Sequence, residues 1–290
     1  MRNERSTSKT RSLVWVLTVL LTFTLMACNN DKVDYPEGSI IMTTTAKEVT
    51  LRLSGSDDIQ IHWGDGKKSI LNEGTFLDVT EQLKFSHTYS SAAKRTIYIT
   101  GKVETLNCNN MQLTLLDISQ NPELTALNCS DNQLTELDVR QNTALKFLWC
   151  YNNQLTVLDT RKNTVLEELR VSDNQISTID VSRNTALKVL RCANNPIADI
   201  DVSTNTELTV LVLRKCQLSN LDLSKNLRMN SLCINGNQFA TSALNELYKS
   251  LFNVPQGQYA FIDYTGNPGS DDADNTIWQE KNWLFQSCRL

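Results

Sequence analysis

Histidine is almost absent from this chain: His62 and His87 are the only two in 290 residues. No nucleophile stands in a motif with a partnered base, no His/Cys/Asp/Glu spacing fits a metal ion, and no glycine-rich loop is built to cradle phosphate. The sequence therefore predicts no enzyme, no metal and no cofactor. A basic excess is also lacking, with 28 Lys and Arg against 32 Asp and Glu. Nucleic acid is thereby excluded as a partner. Long apolar runs are missing except for Leu13 to Met26, which follows a basic start of Arg2, Arg5, Lys9 and Arg11. A membrane-spanning helix needs roughly 20 apolar residues, so this run reads as an export signal.

The run closes with Leu25, Met26, Ala27 and Cys28. That ending resembles the lipobox of bacterial lipoproteins. The resemblance implies cleavage before Cys28, a lipid on its thiol and attachment to the membrane through that lipid. Residues 1–27 take with them four basic residues and Glu4, leaving 24 Lys and Arg against 31 Asp and Glu, a formal charge of −7. Asn29 to Gly38 is polar and short, a tether over 28–38.

What the chain does have is a repeat. Stretches beginning at Leu106, Leu127, Leu148, Leu169, Leu190 and Leu211 follow one another every 21 residues without insertion, and a seventh begins at Leu232. Such a period marks a solenoid whose coils bury their apolar residues against their neighbours. Leu145 to Leu155, LKFLWCYNNQL, fits L-x-x-L-x-C-x-x-N-x-L and is similar to the leucine-rich repeat signature. The second half of each copy, L-D-V-S-x-N-x-x-L, echoes the first. This nested form resembles the short repeats of bacterial leucine-rich repeat surface proteins. It implies a β-rich solenoid with a parallel sheet, an extended segment on both sides of each coil and little helix over 103–239.

Cys108, Cys129, Cys150 and Cys192 occupy one repeat position, which Val171 and Leu213 fill in other copies. A site that accepts Cys, Val or Leu takes a small buried hydrophobe, so these are expected as free thiols. Cys216, Cys233 and Cys288 are left undetermined between free thiols and a disulfide. Asn132, Asn153, Asn174, Asn195 and Asn237 form an inward column whose amides bond backbone left unpaired by each bend. Met111 and Cys216 interrupt it, and Met111 points to support of the first coil by the preceding residues. The recurring Asp117, Asp138, Asp159, Asp180, Asp201 and Asp222 are assigned to turns.

From Ser39 to Gly101 the pattern alternates with period two: Val49, Leu51 and Leu53, then Ile59, Ile61 and Trp63, then Ile97 and Ile99. These are strands. Trp63-Gly64-Asp65-Gly66 with His87-Thr88-Tyr89 resembles the polycystic-kidney-disease-type β-sandwich domain of bacterial surface proteins. That resemblance implies a small β domain over 39–102 acting as an N-terminal cap, with both histidines serving its fold. Its last strand, Arg95 to Gly101, is expected against the first coil, shielding a sheet edge. Residues 240–290 are expected to form an α/β C-terminal cap. There Thr241 or Ser242 caps a helix with Ala243, Leu244, Leu247, Tyr248 and Leu251 on one face.

Function should lie where the copies differ. Three columns on the strand side are expected to face solvent: Thr105, Ala126, Phe147, Glu168, Val189, Val210, Ser231; Asn107, Asn128, Trp149, Arg170, Arg191, Val212, Cys233; and Asn109, Ser130, Tyr151, Ser172, Ala193, Arg214, Asn235. Phe147, Trp149 and Tyr151 meet on the third coil beside Arg170 and Arg191, with Arg214 further along. Exposed aromatics flanked by arginine have the composition of an interface anchor. The sequence thus predicts a monomeric outer-membrane lipoprotein of the cell envelope, exposed at the surface, that binds a protein or a glycan. The alternatives are a structural spacer without a ligand, and aromatics that merely cover one another.

Overall fold

The computed structural model describes residues 35–55, 58–70 and 82–288. The expected signal segment, Cys28 and most of the tether lie outside the described residues. No helix among the described residues is long and apolar enough to cross a membrane.

Alternating apolar residues build six strands before the repeats: β1 (Ile40–Thr44), β2 (Glu48–Gly55), β3 (Gln60–His62), β4 (Lys68–Ile70), β5 (Leu83–Thr88) and β6 (Arg95–Thr100). The first coil adds β7 (Val103–Asn107) and β8 (Leu113–Asp117). One sheet runs β4-β3-β6-β1-β8, and the other begins β5-β2-β7 and continues into the repeats. Both sheets of the N-terminal region therefore extend into the first coil, one on each side. Leu53 pairs with Leu106 and Met42 with Leu116, so a single apolar core runs through the junction.

The strand that covers the first coil is not the expected one. β6 is hydrogen-bonded to β1 and β3, and β2 shields the edge of β7. Gly101 explains the exchange. Its φ of 95° turns the chain out of one sheet toward the other, and a Cβ there would meet Ile59 Cα at 3.0 Å. Both histidines sit in the N-terminal packing: His62 stacks on Tyr98, while His87 stacks on Trp63 and meets Asp65 at 2.8 Å. Gly64, at φ 77°, makes the Asp65 turn against the carbonyl of Thr96, where a Cβ would stand 2.3 Å away.

Each following coil contributes a three-residue strand: β9 (Ala126–Asn128), β10 (Phe147–Trp149), β11 (Glu168–Arg170), β12 (Val189–Arg191), β13 (Val210–Val212) and β14 (Ser231–Cys233). They pair in parallel with Leu127, Leu148, Leu169, Leu190, Leu211 and Leu232 in line. Beneath them Cys108, Cys129, Cys150 and Cys192 are fully buried free thiols. Burial pushes the Cys150 thiol up to about 12. The reading of this position as a small hydrophobe holds.

The asparagine column bonds backbone of its own coil and of the coil before it. Asn132 Nδ2 donates to the carbonyls of Cys108, Cys129 and Ser130, and its Oδ1 accepts from the amides of Met111 and Leu113. Asn153, Asn174 and Asn195 repeat the pattern. Where Met111 breaks the column, Thr44 donates its hydroxyl to the Met111 carbonyl at 2.5 Å. Just before each column position the backbone turns left-handed, at Asn110, Asp131, Asn152, Asp173, Asn194, Lys215 and Gly236. Asn, Asp and Gly adopt that conformation most readily. Lys215 is the exception, in the coil whose column residue is Cys216.

The second half of each coil carries its own devices. Asp138 and Asp180 accept from the backbone amides two residues on, at 3.0 Å, as do the other recurring aspartates. These are turn bonds, as expected. Asn142, Asn163, Asn184, Asn205 and Asn226 form a second buried column, each donating to the carbonyl of the equivalent asparagine one coil back. A paired strand forms on this side only in the first coil, as β8, where β1 is at hand as a partner; the later coils carry no strand there.

The C-terminal region holds α1 (Thr241–Ser250), β15 (Ala260–Asp263), α2 (Thr276–Gln279) and β16 (Trp283–Phe285). Leu244, Leu247 and Tyr248 are buried on the predicted face, but the N-cap is Ala240 and no side chain caps the helix. The region also contains a further coil. β15 continues the parallel sheet with Ile262 opposite Leu232, and Asn267 extends the column by donating to Ile234 and Tyr264. A disulfide joins Cys233 to Cys288.

Candidate functional site

The parallel strands present one face on which side chains of successive coils stand side by side. Because Leu and Cys point inward at alternate positions, Phe147, Trp149 and Tyr151 share the outward direction of their strand. The three do not stack on one another. Phe147 is 38% exposed. Trp149 is half-buried beneath the Arg170 guanidinium, which lies 4.9 Å from the ring centroid. Tyr151 stands in a groove of about 760 Å³. Arg170, Arg191 and Arg214 line the same groove, so four of the six predicted residues meet there, while Phe147 and Trp149 lie outside its lining.

Three residues in the expected exposed columns prove buried. Ser130 and Ala193 are small enough for neighbouring side chains to close over them. Cys233 is covered because its disulfide draws the C-terminal tail across the last strands, and Gln286, Ser287 and Cys288 become a wall of the groove. The tail is further held by Gln286 donating its amide to the Ile262 carbonyl and Cys288 donating to Asp263 Oδ2 at 2.9 Å. The tail's part was not visible from the repeats, since it lies outside their register. A cysteine breaking into an otherwise variable outward column was the available signal.

The electrostatics are uneven. Arg170 and Arg191 stand directly opposite on adjacent strands, where like charges repel. Glu168 takes the Nε of Arg170 in an ion pair. Arg191 and Arg214 have no ion-pair partner among the described residues. Burial and the neighbouring Arg170 push the Arg191 pKa down from its ordinary value, with Glu168 opposing. Arg191 Nε, Trp149 Nε1 and Asn235 Oδ1 are shut from water without a hydrogen-bond partner, a condition that costs on the order of 1–3 kcal/mol for each atom. Among the described residues no group of three or more His, Cys, Asp or Glu side chains is placed to hold a metal ion.

This architecture defines a leucine-rich repeat solenoid. Residues 164–205 match the leucine-rich repeat family, two copies of it. Among solved structures, the internalin C2 of Listeria monocytogenes is 21% identical with a TM-score of 0.53, covering 63% of this chain and 80% of its own. The internalin InlF of the same organism is 22% identical with a TM-score of 0.51, covering 60% of this chain and 50% of its own. The functional domain of Listeria monocytogenes InlJ, described as including a cysteine ladder, is 35% identical over 55% of this chain, with a TM-score of 0.47. The chain spans only 34% of the InlJ structure and half of the InlF structure. No curated protein matches it. The internalin likenesses establish the fold, a parallel solenoid with little helix.

Proposed function

We propose that this chain is a non-enzymatic binding protein of the cell envelope. It is anchored by lipid on Cys28 as an outer-membrane lipoprotein, exposed at the surface, and takes a protein or glycan ligand into the groove as a monomer. In this reading residues 1–27 are the signal, 28–38 the tether, 39–102 a polycystic-kidney-disease-like domain capping the repeats of 103–239, and 240–290 the C-terminal cap. The observation that carries it is the groove itself. Arg191 and Arg214 stand there without partners beside Tyr151, and a disulfide-held tail completes one wall. A surface with no ligand has no reason to keep unpaired guanidinium groups half-buried.

Glycan arrays and envelope-protein capture test the reading with the full chain. Tyr151→Ala with Arg214→Ala should abolish binding, while Val157→Ala, on the exposed opposite side of a coil, should leave it intact. Binding that survives the groove variant places the site elsewhere, and a chain that binds nothing favours the spacer. Cys28→Ala should release the protein from membranes. Unchanged membrane fractionation would overturn the anchor.

A further inference from the structure

Every acidic side chain near the groove is already engaged. Glu168 is held by Arg170. Asp173 accepts from Asn194 Nδ2 at 2.7 Å. Asp263 accepts from Thr265 at 3.1 Å and from the Cys288 amide at 2.9 Å. None of them forms an ion pair with Arg191 or Arg214, and Glu168 acts on Arg191 only as a neighbouring charge. The Glu168–Arg170 pair shows what one of these guanidinium groups takes when a carboxylate is within reach, and the other two lack it.

We propose that the groove binds an acidic peptide segment in extended form, with its carboxylates taken by Arg191 and Arg214. This rests on the reading of the groove as the binding face. Arg191 is in register with Val212, the last residue of β13, and Arg214 follows in the turn, so the two arginines come from adjacent coils. Apolar Ala193, Val212 and Phe261 line the groove with them, which suits an acidic segment that also carries apolar side chains better than a polyanionic sugar. Arg170 covers the ring of Trp149, and the aromatic side chains that line the groove are Tyr151 and Phe261. The strands beneath are paired on both sides, so recognition runs through side chains and not through strand addition. A volume of about 760 Å³ suits a short segment rather than a folded domain.

The test is fluorescence anisotropy of labelled hexaglutamate with the full chain at low salt, with hexagalacturonate as competitor. Arg191→Gln with Arg214→Gln should weaken binding by about tenfold or more, as the loss of two charge-assisted contacts requires. Arg140→Gln with Arg161→Gln should change nothing, because those arginines already hold Asp138 and Asp159. Arg191→Glu with Arg214→Glu should turn the preference toward hexalysine. Equal weakening by both glutamine pairs, no hexaglutamate binding, or stronger binding of hexagalacturonate would overturn the proposal. A neutral partner captured by the wild type and lost with Tyr151→Ala would refute the acidic ligand while leaving the groove as the binding face. Capture indifferent to Tyr151→Ala would refute both.

Discussion

Replacing Asn153 by alanine removes one rung of the buried column, and its cost follows from counting which partners are left without substitutes. Nδ2 donates to the carbonyls of Cys129, Cys150 and Tyr151, at 3.0, 3.2 and 3.3 Å. Each keeps another donor in the variant: Asn132 for Cys129, Asn174 for Cys150 and the Asp131 amide for Tyr151. The Leu134 amide has no such reserve, since Asn153 Oδ1 at 3.0 Å is its partner. A stranded buried donor costs roughly 1–3 kcal/mol, and three weakened acceptors add about 0.5 kcal/mol each. The total is about 3 kcal/mol, or a fall in Tm of roughly 6–10 °C for a chain of this size. Asn153→Asp should be worse at neutral pH. It keeps the Leu134 bond but turns a second acceptor toward three carbonyls. Cys216→Ala supplies the internal control. Its thiol reaches the Cys192 carbonyl at 3.4 Å, and the Ile197 amide is already satisfied by Asn195, so the loss should be about 1 kcal/mol or less. Urea denaturation followed by circular dichroism measures all three. An Asn153→Ala variant as stable as wild type, or Cys216→Ala costing as much, would refute the ladder argument.

The Cys233–Cys288 disulfide closes a loop of 55 residues, which in the chain-entropy view is worth about 4 kcal/mol; Cys288→Ser should lower the denaturation midpoint accordingly and make it indifferent to reductant. Asp159 is held at about 2 by the Arg161 side chain, below its ordinary 3.8, and Asp138 is lowered by Arg140. A depressed carboxylate contributes stability above its unfolded pKa and loses it as pH falls through the folded one. The Tm should therefore drop between about pH 4 and 2, and Arg161→Gln should flatten that drop; a wild-type Tm constant over this window would contradict the assignment. Cys108, Cys129, Cys150, Cys192 and Cys216 are buried with raised pKa. A thiol reagent should find them unreactive in the native protein and reactive once it is unfolded, and rapid native labelling would show that the coils are looser than described.

Local devices were legible in the sequence because each acts within one coil and recurs. Leu148, Cys150 and Asn153 declare their burial by repeating, and Asp138 and Asp159 declare a turn in the same way. The groove was legible in part for the opposite reason: Tyr151, Arg170, Arg191 and Arg214 stand out as departures. Contacts between distant segments left no periodic trace. Nothing in the order of strands says that β2 rather than β6 pairs with the first coil, a choice made by the reversal at Gly101. Nor does the repeat foretell that Cys233 is joined to a cysteine beyond the last strand, or that Asn267 extends the column after a helical insertion. Small residues at outward positions were misleading, because Ser130 and Ala193 are covered by their larger neighbours.

A photo-crosslinking residue placed at Ser172, on the groove wall, or at Thr156, on the opposite side of the preceding coil, tests the central claim most directly. In the envelope of cells that make this protein, the groove account predicts a discrete crosslinked partner from position 172, lost with Tyr151→Ala and Arg214→Ala, and none from position 156. Adducts from position 156 alone, or adducts from position 172 that persist in the groove variant, would contradict it.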